Sequence, residues 1–317
     1  MKNIYSNIFK ADKNTLRKAI KTLKIKKLIG VPTETVYGLA GNAYSDSAVK
    51  KIYKLKGRPF KNPLIIHYHN QNLLKNDVKL DHNFFKLYKN FCPGPITFVL
   101  KKNKNSKLSK IATANLDTVA VRFPKNKIIK KLLKSLSFPL AIPSANKSTH
   151  VSPVSAKDVA EEFKKSLKFI LDDGYCKIGL ESTVIDLTSK PKILRPGFIN
   201  STEISKILNM TVKYSSRSKA IKSPGMLKRH YSPGIPIKLN RKRAGINEAF
   251  IVFGKKYKNK KNTFNLSSKS SLTEAAKNLY KTLRLIKNKN YKMICVSPIP
   301  KVGLGLAINV RLKRAAK

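Results

Sequence analysis

The sequence predicts an α/β fold divided into two domains. Two observations carry this. Short apolar runs of strand length alternate with segments of helical periodicity, and the alternation breaks once, over residues 211–236, into a stretch rich in Ser, Lys, Pro and Gly. Size agrees, because 317 residues that are 41% hydrophobic, with 14 Phe and 12 Tyr, can bury more than one core despite the charge they carry. The expected division is residues 1–210, a linker at 211–236, and residues 237–317.

Taken in order, residues 28–31 read as a short buried strand, 46–56 as a helix, 64–68 as a strand and 83–91 as a helix. Residues 96–100 and 118–123 read as strands, 126–135 as a helix and 140–142 as a strand. A helix at 155–165 and strands at 169–171 and 183–187 follow. Beyond the linker, a strand at 250–254, a helix at 272–286, a strand at 293–296 and a helix at 304–315 form a small βαβα unit. No apolar run approaches the roughly 20 residues that span a bilayer, and residues 1–10 lack the apolar block of a secretory signal, so a soluble cytoplasmic protein is expected.

The chain has 67 Lys and Arg against 16 Asp and Glu, a formal charge of +51. Such an excess is the usual footprint of a nucleic-acid binder, but only 11 of the basic residues are Arg, and the Lys residues are spread over both predicted domains. Abundant Lys, Asn and Ile, all with A- and T-rich codons, account for much of the excess. Cys92, Cys176 and Cys295 are odd in number and share no C-x-x-C spacing, so neither a disulfide framework nor a zinc site is expected. His67 and His69 have no Cys or carboxylate beside them to complete a metal site.

Polar residues crowd the ends of the apolar strands. Thr33, Glu34 and Thr35 follow the first strand, and Lys56, Gly57, Arg58 and Asn62 separate a helix from the strand that ends at His67. Arg122 interrupts the apolar run 119–123, where a charge must be paired or must face a cavity. Ser144 and Asn146 close another strand, Glu181 and Ser182 open one, and Arg195 ends one. No Walker loop occurs, no G-x-G-x-x-G follows a strand, and no Ser/His/Asp set or acid pair stands out. A cavity rich in cations, hydroxyls and amides would bind anions and stabilise developing charge. The segment Gly303-Leu304-Gly305 lacks the third glycine of a dinucleotide loop.

These corners, in this order, resemble the YrdC-like family of threonylcarbamoyl-AMP synthases, over residues 32–41, 56–67, 93–97, 119–124, 143–146, 179–186 and 195–197. Residues 223–226, 230–234 and 303–315 resemble the family's long form, which adds a linker and a C-terminal domain. The resemblance implies a twisted mixed sheet around a large concave cavity, a Rossmann-like second domain, and a linker over the cavity mouth. The implied activity joins L-threonine, bicarbonate and ATP, with Mg2+, into threonylcarbamoyl-AMP and pyrophosphate. A downstream transferase complex would then modify tRNA, and any direct tRNA contact would be weak.

By the same resemblance Lys56 and Arg58 would be catalytic and would bind ATP together with Asn62, Thr118, Ser144, Asn146, Ser152, Arg195 and Tyr231. Thr35, His67, Arg122, Ser144 and Ser182 would bind L-threonine, and no protein-held metal is implied. The alternative is an RNA-binding protein that uses a basic concave surface without this catalysis.

Overall fold

The computed structural model describes residues 4–215, 230–257 and 261–317. The first part contains, in order, β1 (Ile8–Lys10), α1 (Lys13–Lys24), β2 (Ile29–Val31), β3 (Gly38–Asn42), α2 (Asp46–Lys56), β4 (Ile65–His67), α3 (Gln71–Leu74) and α4 (His82–Phe91). It continues through β5 (Ile96–Lys101), β6 (Thr118–Arg122), α5 (Lys127–Lys134), β7 (Leu140–Ala141), α6 (Ala156–Phe163), β8 (Ile170–Asp172), β9 (Thr183–Asp186), β10 (Lys192–Arg195) and α7 (Ser201–Leu208). The second part holds β11 (Ile237–Lys238), β12 (Glu248–Val252), β13 (Thr263–Asn265), α8 (Leu272–Lys287), β14 (Met293–Val296) and α9 (Leu304–Ala315). None of these helices is long and apolar enough to cross a membrane.

The first ten strands form one mixed sheet in the order β1-β8-β2-β3-β7-β4-β6-β5-β9-β10. α1 and α5 cover one end of it, where Ala19, Leu23, Ile129 and Leu132 meet Ile29, Val31, Ala40 and Leu140. Across the central strands the two faces differ. Ile66, Phe98, Val121 and Ile185 point into the main core, which also receives Phe84 of α4 and Ile204 of α7. Ile65, Val99, Ala120, Val184 and Leu194 form a small apolar floor on the opposite face.

The second sheet is fully parallel, β11-β14-β12-β13, with Ala249, Ile251, Ile294 and Val296 packed toward Leu279, Leu283, Ile308 and Leu312. This is the expected Rossmann-like arrangement with two additional short strands, β11 and β13. Gly305, in the segment that lacks the third glycine of a dinucleotide loop, is required by packing, because a Cβ there would lie 1.9 Å from the Pro300 carbonyl oxygen.

Several elements were not legible as apolar runs. β3 is Gly-Leu-Ala-Gly-Asn, whose glycines carry no hydrophobic signal, yet a Cβ on Gly38 would lie 2.1 Å from Ile142. α1 hides its stripe of Leu16, Ala19, Ile20 and Leu23 among basic residues and opens on an Asp12–Thr15 capping box.

Candidate active site

The site begins with the register of four strands. β6 sets Arg122 opposite His67 of β4 on one side and opposite Thr97 of β5 on the other. Residues paired across a sheet share a face, so these three side chains stand beside the apolar floor of Ile65, Ala120 and Val99. Thr97 pairs with Val184, which places Ser182, two residues earlier, on the same face. The Ser182 hydroxyl lies 2.7 Å from that of Thr97. A register shift between Ile193 and Arg195 aligns Arg195 with Val184, and its guanidinium donates to the Ser182 hydroxyl and carbonyl, each at 3.1 Å.

The α2 end supplies the other cations. Val49, Ile52, Tyr53 and Lys56 follow the i, i+3, i+4, i+7 spacing of a buried stripe, so the helix carries Lys56 inward at 2% exposure. Its ammonium donates to the carbonyls of Ser144 and Asn146. Gly57, at φ 58°, ends the helix in the left-handed region and turns the chain so that Arg58 donates to the Asn62 and Pro63 carbonyls at 2.9 and 2.8 Å.

One cavity gathers Thr35, Arg58, His67, Arg122, Ser144, Ser182, Arg195 and Tyr231. Lys56 reaches its edge through Ser144. Asn62, Asn146 and Ser152 are buried behind the wall. Both side-chain amide atoms of Asn62, and Oδ1 of Asn146, have no hydrogen-bond partner among the described residues. Ser152 is already engaged, donating to Glu181 at 2.6 Å. Thr118 lies outside the cavity, four residues along β6 from Arg122, and the register that sets Ala120 against Ile65 carries it toward the Asn62–Pro63 turn that holds Arg58. Tyr231 was expected over the mouth but is part of the wall, 1% exposed, with a buried hydroxyl that finds no partner among the described residues. The linker motif at residues 223–226 lies outside the described residues.

Arg122 is paired within the protein. It donates to Thr35 Oγ1 at 2.8 Å and to Glu34 Oε1 at 2.6 Å, while its Nε is buried without a partner among the described residues. Thr33 braces the loop by bonding Thr35 Oγ1 and donating to the Val36 carbonyl at 2.6 Å.

Electrostatics favour an anion here. Burial and the neighbouring Arg58 push the Lys56 ammonium well below its ordinary value. Burial, reinforced by Arg195, pushes the Arg58 guanidinium down to about 10, and burial also lowers Arg195. Buried cations that suppress one another's charge are stabilised when a polyanion enters. Burial and Arg122 keep His67 neutral.

Nothing local in the sequence marks Thr97 as a site residue, or the residues that close the site from the second domain. Glu181 lines the cavity, accepting from Ser152, from Tyr280 at 2.8 Å and from Arg311 at 3.2 Å. Arg284 of α8 donates to the Val151 and Ser152 carbonyls and lies 3.5 Å from Glu162, which also pairs with His150 at 2.5 Å. No local pattern marks Tyr280, Arg284 and Arg311 as partners of this wall, since the contacts with Glu181 and Val151 span 99 to 133 residues of chain.

This seam should be acid-labile. Burial would raise both carboxyls, yet Arg311 and Arg195 hold Glu181 at about 2, and His150, the Lys147 amide and Arg284 hold Glu162 at about 2. Folded values below the ordinary carboxylate range mean that the stabilisation is fully present above about pH 4.5 and is lost as pH falls toward 2. Thermal melts across that window should show a falling midpoint, and Glu162→Gln should flatten the fall.

Fold and cavity together define a YrdC-like α/β protein with a cavity lined by buried cations, closed on one side by a Rossmann-like domain. A family model described as telomere recombination, covering the Sua5, YciO and YrdC proteins, matches residues 21–197, and that of the threonylcarbamoyl-AMP synthase C-terminal domain matches residues 199–317. The chain is 38% identical over 313 residues to the threonylcarbamoyl-AMP synthase of Pyrococcus abyssi, covering 92% of this chain and 90% of that one. It is 33% identical to the Bacillus subtilis synthase, covering 95% and 92%. The crystal structure of P. abyssi Sua5 complexed with L-threonine superposes with a TM-score of 0.89 at 35% identity, covering 98% of this chain and 97% of that one. The chain belongs to the threonylcarbamoyl-AMP synthase family, in its long form with linker and C-terminal domain.

Proposed function

We propose that this chain synthesises threonylcarbamoyl-AMP from L-threonine, bicarbonate and ATP, releasing pyrophosphate. The observation that carries the reading is the cluster of buried cations, Lys56, Arg58 and Arg195, at one cavity whose floor also presents Arg122, His67, Thr35 and Ser182. The relative crystallised with L-threonine supports an amino-acid subsite in a chain of this fold.

In this reading Arg122 holds the threonine carboxylate through its buried Nε and by sharing its fork with Glu34. Thr35, His67 and Ser182 hold the rest of the amino acid. The threonine amine takes up bicarbonate as a carbamate, losing water. A carbamate oxygen then attacks the α-phosphorus in line, forming the new P–O bond as the bond to the pyrophosphate oxygen breaks. Lys56, Arg58 and Arg195 would balance the charge that gathers on the phosphates, and Mg2+ entering with ATP would add to that neutralisation. Ser144 supplies a neutral contact from the cavity wall, Asn62, Thr118, Asn146 and Ser152 support that wall from behind, and Tyr231 packs against the nucleotide from the wall, keeping water from a labile carbamate and mixed anhydride.

The adenylate would pass to a separate transferase complex that modifies tRNA, with little tRNA bound by this chain. Incubating the folded protein with ATP, Mg2+, bicarbonate and L-threonine should yield threonylcarbamoyl-adenylate by mass spectrometry, dependent on every component. An RNA-binding protein instead would make no adenylate and would release RNA steeply with salt.

A further inference from the structure

We propose that Arg311 and Tyr280, both from the second domain, are positioning residues of the anion site: they hold the Glu181 carboxylate in an ion pair that keeps it from bonding Arg195 or Arg58 directly. This rests on reading the cavity as the ATP site.

The geometry starts from Glu181, a carboxylate that lines the same cavity as Arg58 and Arg195. A negative side chain there competes with a triphosphate for the cations. It lies beside Ser182, whose carbonyl and hydroxyl both hold Arg195, so Arg195 is a ready alternative partner. Three donors occupy the carboxylate. Ser152 takes Oε1, while Tyr280 of α8 and Arg311 of α9 take Oε2.

Arg311 does more than neutralise. Its planar fork also donates to the Glu181 carbonyl at 3.4 Å and to the Pro196 carbonyl. One guanidinium therefore ties the residue before Ser182 to the residue after Arg195, the two positions that aim the site's hydroxyl and cation. Arg311 is 1% exposed, and the Ala307 carbonyl one turn earlier in α9 also accepts from it at 3.3 Å. Its guanidinium carbon lies 5.9 Å from the ring centre of Tyr231, which stacks on Tyr280 with centroids 5.6 Å apart. Without Arg311, a buried carboxylate keeps only neutral donors and is drawn to the nearest cation, because an uncompensated buried charge is strongly unfavourable. That cation is Arg195, and the anion site would lose a charge to its own wall.

The test uses the full chain, titrated calorimetrically with MgATP, alongside KM values for ATP and L-threonine and thermal midpoints. Arg311→Met should weaken MgATP binding about tenfold or more while KM for L-threonine stays within about threefold. Adding Glu181→Gln to that variant should recover most of the lost MgATP affinity, since the competing charge is then gone. Tyr280→Phe, which removes one donor and no charge, should weaken MgATP binding about threefold. Unchanged MgATP affinity in Arg311→Met overturns the proposal. So does an equal loss for both substrates, which marks general unseating of the domain, or a double variant whose thermal midpoint recovers while its MgATP affinity does not. If Arg311→Met does not fold, an unchanged affinity in Tyr280→Phe overturns it. MgATP titration needs no turnover, so a chain that binds MgATP but makes no adenylate fails the synthase reading alone. A chain that makes the adenylate yet binds MgATP equally with and without Arg311 fails only this inference.

Discussion

Replacing Arg122 by alanine is expected to remove synthase activity and to lower stability at once. Both partners of the Arg122–Glu34 pair are buried, their side chains 5% and 6% exposed. Breaking a pair of this kind from one side costs about 3–5 kcal/mol, because the remaining charge stays buried. The lower end applies here, since Glu34 Oε2 keeps the amides of Lys125 and Asn126 at 3.0 and 3.3 Å. Urea denaturation should register that loss, and kcat/KM for L-threonine should fall by roughly 10²–10³. A double variant, Arg122→Met with Glu34→Gln, should regain most of the stability and none of the activity. Activity within about tenfold of wild type in the single variant would remove Arg122 from the threonine site.

Arg58→Met should separate activity from stability in the opposite way. Its guanidinium is held by two backbone carbonyls and crowded by Lys56 and Arg195, with no carboxylate partner among the described residues. Removal leaves two carbonyls short of a donor, at about 1–3 kcal/mol, and relieves like-charge repulsion that offsets part of this. The melting temperature should therefore move little. kcat/KM for ATP should fall by roughly 10²–10³, because the cation acts where charge develops on the phosphates. Arg58→Lys keeps the charge but loses the fork that grips the Asn62–Pro63 turn, and should recover only part of the rate. A normal KM and kcat for ATP in Arg58→Met would argue that the triphosphate lies elsewhere.

The signals that were legible differ in kind from those that were not. Arg122 was visible because β6 is apolar around it, and Lys56 because it stands with Arg58 in a Gly- and Pro-bearing turn at a helix end. Both are charges at apolar elements, where a charge has to be accounted for. Thr97 was invisible because a threonine in Ile-Thr-Phe-Val-Leu is an ordinary strand residue, and only its register opposite Arg122 makes it part of the site. β3 escaped notice because its glycines serve close approach, a requirement that comes from Ile142 about a hundred residues later.

The chain by itself determined an α/β fold in two parts and the positions where buried charge had to be explained. It also showed that Lys spread over the whole length, for all its +51, was less informative than a few cations at strand and helix ends. Only the tertiary structure decided which groups answer those charges. Glu34 meets Arg122 across 88 residues, and Glu181 meets Arg311 of the second domain across 130. Periodicity is a local consequence of burying one face of an element, so it can be read in a short window. The partner of a buried charge is set by which strands and domains pack together, and no window of sequence contains both.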